Sequence, residues 1–424
     1  MANAGNWHKL AGTAVKADEL LITGLGAQGD GVAGSDAGRR YVPFALPGER
    51  VQPVAEGPPR LLSAPSPDRT TPLCRHFGTC GGCAAQHMSE RLYADWKRDI
   101  VVAAFCQRGL APDIAPLRRL SPGTRRRAVL TARRVGQRIA IGYHRRKSLD
   151  VIDIEECPVL HQDIVAKFPA LRAIAAALSI PEARLTVLST RAGLDVAVDT
   201  PGGRRGPAAV AKIGGIAEEH RLARVAVGGE TMIERARPIL SPAAIDIGVP
   251  PGVFAQAVQE AEDAMAQLVL AGVGGAQSVA DLFCGIGTFT FHLARRARVL
   301  ALDSDDTAVA ALVGATRRVQ GLKPIEAKAR DLFRDPLSAK ELERFEAVVL
   351  DPPRAGARGQ AEQLARSNVR TVAAVACDPG TLARDVRLLV DGGYAIDSVT
   401  PIDQFLFSAH VEVVVILKRT PSFR

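Results

Sequence analysis

The stretch DLFCGIGTFTFHLA, from Asp281 to Ala294, sets Gly285 and Gly287 directly after an apolar run that reads as a strand and before a segment that reads as a helix. Glycines at such a junction let the backbone approach a ligand closely, and the helix N-terminus faces it. A GxG turn also serves packing alone, so its surroundings decide its meaning. From about Ser241 to the C-terminus, apolar runs alternate with segments of helix length: SVADLF, VLALD, EAVVLD, TVAAVAC and HVEVVVILKR. Continuous apolar runs separated by helices are strands of a largely parallel sheet buried on both faces, and they predict a doubly wound α/β domain.

Ligands of such sheets bind beyond the carboxyl ends of the strands, so the residues closing each run are the candidates for chemistry. Asp303 ends VLALD about 20 residues past the glycines, where a carboxylate accepts hydrogen bonds from ribose hydroxyls. The glycine count falls short of the dinucleotide fingerprint, and S-adenosylmethionine fits better than NAD. The third run ends in Asp351-Pro352-Pro353-Arg354, which alone would read as a polar turn closed by prolines. The fourth ends at Cys377, followed by Asp378 and Pro379, a good N-cap and a good first helical residue. A thiol at a helix N-terminus is expected to have a lowered pKa, which favours a nucleophile over a packing residue. Glu412 opens an otherwise apolar strand, where a carboxylate is costly unless paired or used, so it is a candidate general base.

Outward from this domain the character changes. The chain has 424 residues, 47% hydrophobic and 23% charged, which predicts two or three domains. No apolar run approaches the ~20 residues of a membrane span, and the start MANAGNWHKLAG lacks the apolar core of a signal peptide, so a cytoplasmic home is expected. Residues Glu19 to Val54 read as short strands broken by glycine turns, the pattern of a small barrel, and EGPPRLLSAPSPDRTTP as a linker. A helix is expected from Ser89 to Gly109, with Leu92, Trp96, Ile100 and Ala103 on its apolar face, and mixed β structure from Arg125 to about Leu240.

Seven cysteines, an odd number in a long chain, do not read as a disulfide framework, and clustered cysteines in a reducing compartment more often bind metal or do chemistry. Cys74, Cys80 and Cys83, in C-x5-C-x2-C spacing around Gly81 and Gly82, together with Cys157, offer four thiolates suited to a structural zinc or an iron–sulfur cluster. The absence of paired zinc knuckles leans toward iron and sulfur, while Cys106 and Cys284 read as packing residues. The net charge is +9, and residues 118 to 147 hold eleven basic side chains with no acidic one, so the rest of the chain nets −2, the difference between +9 and +11. One basic segment, carrying Arg125, Arg126 and Arg127, is expected to meet a polyanionic partner.

Taken together, these motifs resemble the RNA uridine C5-methyltransferases, and the resemblance covers nearly the whole chain. GDGVAG followed by FALPGERV is similar to a TRAM domain, an OB-like RNA-binding barrel, and CRHFGTCGGCAAQH with ECPVL to the 4Fe–4S segment of the ribosomal RNA branch. The resemblance implies an N-terminal barrel over 15–62, a central mixed α/β region carrying the iron–sulfur segment over 63–240, and a Rossmann-like class I methyltransferase domain over 241–424. It implies Cys74, Cys80, Cys83 and Cys157 as cluster ligands, and Gln256, Asp281, Phe283, Gly285, Gly287, Asp303, Asp331 and Asp351 around S-adenosylmethionine. DPPRAG, CDPGTLARD and HVE match the catalytic motifs, through Asp351, Cys377 and Glu412.

The implied chemistry explains those residue types. C5 of uracil is a poor nucleophile, so the Cys377 thiolate adds at C6, C5 takes the methyl group, and Glu412 removes the C5 proton so that the thiol can leave. Asp351 holds the uracil edge, and the target uridine is single-stranded or flipped out. Ribosomal RNA is the expected partner, with transfer RNA as the alternative; a different class of reading is a catalytically silent RNA-binding protein with a redox-sensing cluster. No membrane and no obligate protein partner is expected. Two departures from the family pattern stand out: Asp378 replaces the common Asn, with its carboxylate expected on helix N–H groups, and Leu406 and Ser408 replace Pro and Thr, which predicts either a looser loop or changed substrate contacts.

Overall fold

The computed structural model describes residues 19–35, 38–200 and 206–420. The start of the chain, on which the signal-peptide argument rested, and residues 15–18 of the expected barrel lie outside them.

The C-terminal sheet has seven strands in the spatial order Ile325–Ala329, Arg298–Asp303, Ser278–Leu282, Ala347–Leu350, Thr371–Ala376, Glu412–Arg419 and Tyr394–Ile402. The first five pair in parallel. Glu412–Arg419 inserts antiparallel between Thr371–Ala376 and Tyr394–Ile402. Ala347–Leu350 and Thr371–Ala376 are buried along their whole length, as strands covered on both faces must be. One face packs Val279, Val349 and Val414 under the helices Gln259–Val273 and Asp306–Thr316. The other packs Leu282, Val348 and Val415 under Arg358–Ala365 and Pro379–Asp391. Ser278–Leu282, the first of these strands in the chain, has Arg298–Asp303 on one side and Ala347–Leu350 on the other, so the strand order reverses there and leaves a crevice at the carboxyl ends.

Upstream residues complete this core. The helix Glu90–Cys106 starts at Ser89, whose hydroxyl accepts the Leu92 N–H at 3.2 Å. Its buried face is Tyr93, Trp96, Lys97, Val101 and Phe105, not the expected Leu92, Trp96, Ile100 and Ala103, and Ala103 is exposed. Val101 and Phe105 join the C-terminal core, and a fully buried lysine, which hydrophobic periodicity rejects, displaces the stripe. Beyond it, Ala115 and Arg118 donate backbone N–H groups to Val399 and Pro401, both at 2.9 Å, extending the sheet edge.

A second seven-stranded sheet, containing Arg127–Val135, Arg138–His144, Glu182–Thr190 and Gly193–Asp199, carries Phe168–Leu178 and Pro207–Glu219 packed on it. In the N-terminal part, the described residues form two three-stranded sheets, with Ile22, Ala33, Ala45 and Val51 in one core. The expected linker is packed instead. Arg60–Leu61 pairs with Arg50–Gln52, and Arg69 reaches back to the buried Glu49, donating from Nη2 at 2.7 Å. Proline and serine content signalled irregular backbone correctly but said nothing of this ion pair. Among the described residues no helix is long and apolar enough to cross a membrane.

Candidate active site

The crevice begins where Ser278–Leu282 ends. Phe283, Gly285 and Gly287 take positive φ of 63°, 53° and 99°. At Gly287 an added Cβ would stand 2.7 Å from the Phe291 ring, so only glycine fits. Five turn residues, not a direct junction, separate Cys284 from a helix of only five residues, Thr290–Ala294. The Gly285 N–H donates to Asp303 at 2.8 Å and the Asp305 N–H to its other oxygen at 2.9 Å. Each oxygen keeps a lone pair for a further donor.

Asp281 lies beneath the loop, fully buried. Thr290 Oγ1 donates to its Oδ2 at 2.5 Å, while Oδ1 has no hydrogen-bond partner among the described residues. Burial pushes its carboxyl up to about 7, against the Thr290 hydrogen bond. Asp331 turns toward its own loop, accepting the Phe333 N–H at 3.0 Å, and Phe333 brings that loop onto Phe283 with ring centroids 5.5 Å apart.

The catalytic candidates meet because of one antiparallel strand. Glu412 starts its strand, yet the antiparallel direction brings that start to the edge where the parallel strands end: Val413 faces Ala376 and Glu412 faces Ile402. Asp351 and Cys377 lie on the same edge. A chain of amides joins the carboxyls. Gln256 Nε2 donates to Asp351 Oδ2 at 3.1 Å, and Gln404 Nε2 donates to Gln256 Oε1 at 2.9 Å and to Glu412 Oε2 at 2.8 Å. Burial pushes Glu412 up to about 7, opposed by the Gln404 hydrogen bond. Asp351 is held well above the usual carboxylate range, by burial first and then by the charge of Glu412.

Cys377 departs from expectation. Burial, reinforced by Glu412 and Asp351 and opposed by Arg354, pushes its thiol up to about 11 instead of down. The helix Pro379–Asp391 does start behind it, but Asp378 caps that helix, accepting the Gly380 and Thr381 N–H groups at 3.0 Å each. The carboxylate is engaged as expected, and for that reason the helix N-terminus no longer serves the thiol. The sequence reading assigns Gln404 and Arg354 no role at the site and expects Arg126 on the polyanionic partner instead. Gln404 is an uncharged polar residue inside the DQFLFSAHVE motif, the one signal available; Arg126 was indistinguishable from its neighbours.

The loop before Glu412 is fastened, not loose. Buried Lys97 pairs with Asp403 at 2.9 Å, and its ammonium donates to the carbonyls of Phe405 and His410. Tyr93 donates to Asp403 at 2.7 Å and accepts the Phe407 N–H at 2.8 Å. The Ala84 N–H donates to the Phe407 carbonyl at 2.7 Å, holding that residue at φ 61°. These bonds come from 300 residues upstream in sequence, so the substitutions at Leu406 and Ser408 could not reveal them.

Two hollows flank His410. An open cleft of about 420 Å³ has Cys377 and Gly380 on one wall and Gln28, Trp96 and Ala103 on the other. A cavity of about 220 Å³ is lined by Cys74, Cys80, Cys83 and Cys157, with Arg354 and Tyr143. The Gly81 N–H donates to the His144 carbonyl at 2.9 Å, and the Arg75 N–H to Glu156 at 2.9 Å, drawing the first three cysteines to Cys157. Burial raises all four thiols, Cys80 to about 11 and Cys83 to about 12; neighbouring thiolates raise Cys80, Cys83 and Cys157 further, and Glu156 does so for Cys74. Among the described residues no three His, Cys, Asp or Glu side chains converge where a single ion could sit. Cys284 is buried as expected, whereas Cys106 is exposed at a helix end.

The basic segment is less basic than its count. Arg119, Arg126, Arg133, Arg145 and Arg146 pair with Glu90, Glu262, Glu182, Glu56 and Asp30. Arg126 is buried, its guanidinium 2.6 Å from Glu262 and donating at 3.1 Å to the Gln256 carbonyl, so it does not face RNA. Arg125 and Arg127 have no carboxylate partner among the described residues and lie over Phe405 and Phe254, at 5.7 and 5.2 Å. Phe254 is 61% exposed.

Residues 250–420 match the family model of tRNA (uracil-5-)-methyltransferases. A protein of Rhizobium meliloti named an uncharacterized RNA methyltransferase is 48% identical over 413 residues, covering 94% of this chain and 99% of that one. The 23S rRNA (uracil(1939)-C(5))-methyltransferase RlmD of Chromohalobacter salexigens is 32% identical over 437 residues, covering 96% of this chain and 91% of its own length. The crystal structure of Pyrococcus abyssi tRNA (uracil-54, C5)-methyltransferase with S-adenosyl-L-homocysteine superposes with a TM-score of 0.74 at 21% identity, covering 95% of this chain and 100% of that one. At that identity the likeness shows the fold.

Proposed function

The chain belongs to the RNA uracil-C5-methyltransferase family, and from that premise we propose that it methylates C5 of a uridine in ribosomal RNA, with Cys377 as nucleophile and Glu412 as base. The observation that carries this reading is the hydrogen-bonded row Asp351, Gln256, Gln404 and Glu412 standing beside Cys377 at the crevice.

The residues around the glycine loop fit S-adenosylmethionine. The open oxygen of Asp281 suits an ammonium or sulfonium charge, the Asp303 lone pairs suit ribose hydroxyls, and no Cβ crowds Gly285. Bound there, the cofactor supplies an electrophilic methyl group. The chain's own residues do the rest. Burial and the charge of Glu412 hold Asp351 well above the usual carboxylate range, which favours its protonated form as a hydrogen-bond donor to a carbonyl oxygen of the uracil edge. The Cys377 sulfur bonds to C6 as the thiolate, its proton having passed to solvent, and the C5–C6 π electrons move toward that oxygen, where negative charge builds. Glu412, near 7, accepts the C5 proton after methyl transfer; the C5–H electrons form the C5–C6 double bond, and the sulfur leaves.

The cleft beside Cys377 admits an unpaired nucleotide, and its far wall includes Gln28, so residues 15–62 act as a TRAM-like RNA-binding barrel. The central residues 63–240 bring Arg125 and Arg127 to phosphates, and 241–424 form the methyltransferase domain, all in the cytoplasm. Cys74, Cys80, Cys83 and Cys157 hold a 4Fe–4S cluster that clips the first three to the fourth. The one cavity that all four cysteines line supports this.

Purified protein, labelled S-adenosylmethionine and unmodified RNA test the reading. Label is expected in 5-methyluridine of ribosomal RNA; label only in transfer RNA would move the substrate, and label in cytosine or in no RNA would refute the activity. Anaerobically purified protein should be brown with about four irons per chain. Colourless protein with one zinc would overturn the cluster.

A further inference from the structure

The polar row between the two carboxyls has a fixed direction, set by one backbone group. The Ala257 N–H can only donate, and it meets Gln404 Oε1 at 3.1 Å. The other end of that side chain is therefore its amino group, and both of its hydrogens are committed, to Gln256 Oε1 at 2.9 Å and Glu412 Oε2 at 2.8 Å. Because Gln256 accepts through its oxygen, its own amino group must face Asp351, as it does at 3.1 Å. All three members, Gln404, Gln256 and Glu412, are buried, so water does not compete for these bonds. One uncommitted N–H of Gln256 and one oxygen of Glu412, Oε1, take no hydrogen bond among the described residues.

We propose that Gln404 is a positioning residue of the reaction: it holds Gln256 in a single flip and Glu412 in a single orientation, so that Glu412 Oε1 is the oxygen that takes the C5 proton. The inference rests on the uridine methylation proposed above. An amide suits the task because it neither gains nor loses a proton between about pH 5 and 9. Glu412 Oε2 accepts the same N–H whether Oε1 is bare or protonated, so no partner must reorient when the C5–H bond breaks, its electrons close the C5–C6 double bond, and the Cys377 sulfur departs from C6. Such a preorganised partner differs from a catalytic residue: it touches neither the base nor the cofactor and acts through the two groups that do.

The experiment uses the full chain with two variants, Gln404→Met and Gln404→Glu, unmodified ribosomal RNA and labelled S-adenosylmethionine. Wild-type protein must first make 5-methyluridine; if it makes none, the functional reading fails, and the inference with it. Gln404→Met removes all three hydrogen bonds. It is expected to lower kcat about 100-fold with little change in KM for RNA, and to accumulate a methylated protein–RNA adduct on denaturing gels because removal of the C5 proton is slowed. Gln404→Glu keeps the acceptor for Ala257 but faces two acceptors with a carboxylate, so it donates only when protonated. Its kcat, taken as a fraction of wild type at the same pH so that protonation of Glu412 itself cancels, is expected to fall similarly at pH 8 and to recover as the pH is lowered toward 6, a displacement that a merely structural role would not produce. Active wild-type protein alongside variants of unchanged kcat, or Gln404→Glu losing activity equally at every pH, would overturn the assignment. Should Gln404→Met fail to fold, the pH profile of Gln404→Glu decides alone.

Discussion

Cys377 should be an unreactive thiol until RNA arrives. Its proton is held by burial and by two neighbouring carboxyls, which place the thiol at about 11, against an ordinary 9.0. At pH 8 that leaves about one molecule in a thousand as thiolate, where an unshifted thiol would have about one in ten. The perturbation is pH itself, applied to RNA-free protein, with iodoacetamide as reporter and peptide mass spectrometry to separate Cys377 from the exposed Cys106, which reports access of the reagent. Because the thiolate is the reactive form, labelling of Cys377 should rise about tenfold per pH unit from 7 to 10 without levelling. The causes of the shift predict variants of opposite sign. Glu412 raises the thiol, so Glu412→Gln should speed labelling at pH 8 even while it stops turnover and traps the protein–RNA adduct. Arg354 lowers it, so Arg354→Gln should slow labelling. A labelling curve that levels below pH 9, or the same response to both variants, would refute the reasoning and restore activation by the helix terminus.

Three further outcomes follow from the buried charges and the exposed ones. Arg126→Met strands Glu262 and should cost about 3–5 kcal/mol of stability; burial raises Glu262 above its unfolded value, so this variant is least impaired in acid and loses further stability as pH rises through the folded-state pKa, checked by denaturant melts from pH 5 to 8. Lys97→Met leaves Asp403 buried without its partner and should cost a similar ~3–5 kcal/mol, with loss of methylation exceeding loss of folded protein at low temperature, since the loop to Glu412 is released. Arg125→Glu with Arg127→Glu should weaken RNA binding and lower its salt slope by about one per lost phosphate contact, while equilibrium dialysis shows cofactor binding unchanged; retained RNA affinity would remove these two arginines from the interface.

The C-terminal fold was legible because its signal is periodic and local. Five apolar runs with helix-length gaps force a sheet covered on both faces, and residues closing those runs must share an edge. The same logic located Asp351, Cys377 and Asp303. Glu412 needed one thing more, the reversal of its strand, which turns the start of a run into a neighbour of the ends of others. What stayed hidden depends on burial across long sequence separations. Arg125, Arg126 and Arg127 are identical letters, yet Arg126 points into the protein toward Glu262, 136 residues away, while its neighbours lie beside aromatic rings. Lys97 breaks the apolar stripe of its helix because Asp403, 306 residues later, is buried opposite it. The thiol of Cys377 shows why local rules invert at such a site. Its sequence context predicts a helix and a cap correctly, and the cap is a carboxylate that neutralises the helix terminus, while two further carboxyls arrive from distant strands. A nucleophile surrounded by acids is poorly poised as a free thiol, and in the proposed reaction it becomes useful only when a uracil in the crevice offers C6 to the small thiolate fraction and accepts its electrons on the carbonyl oxygen. In that proposed reaction reactivity is tied to occupancy, which protects the thiol from adventitious alkylation and oxidation.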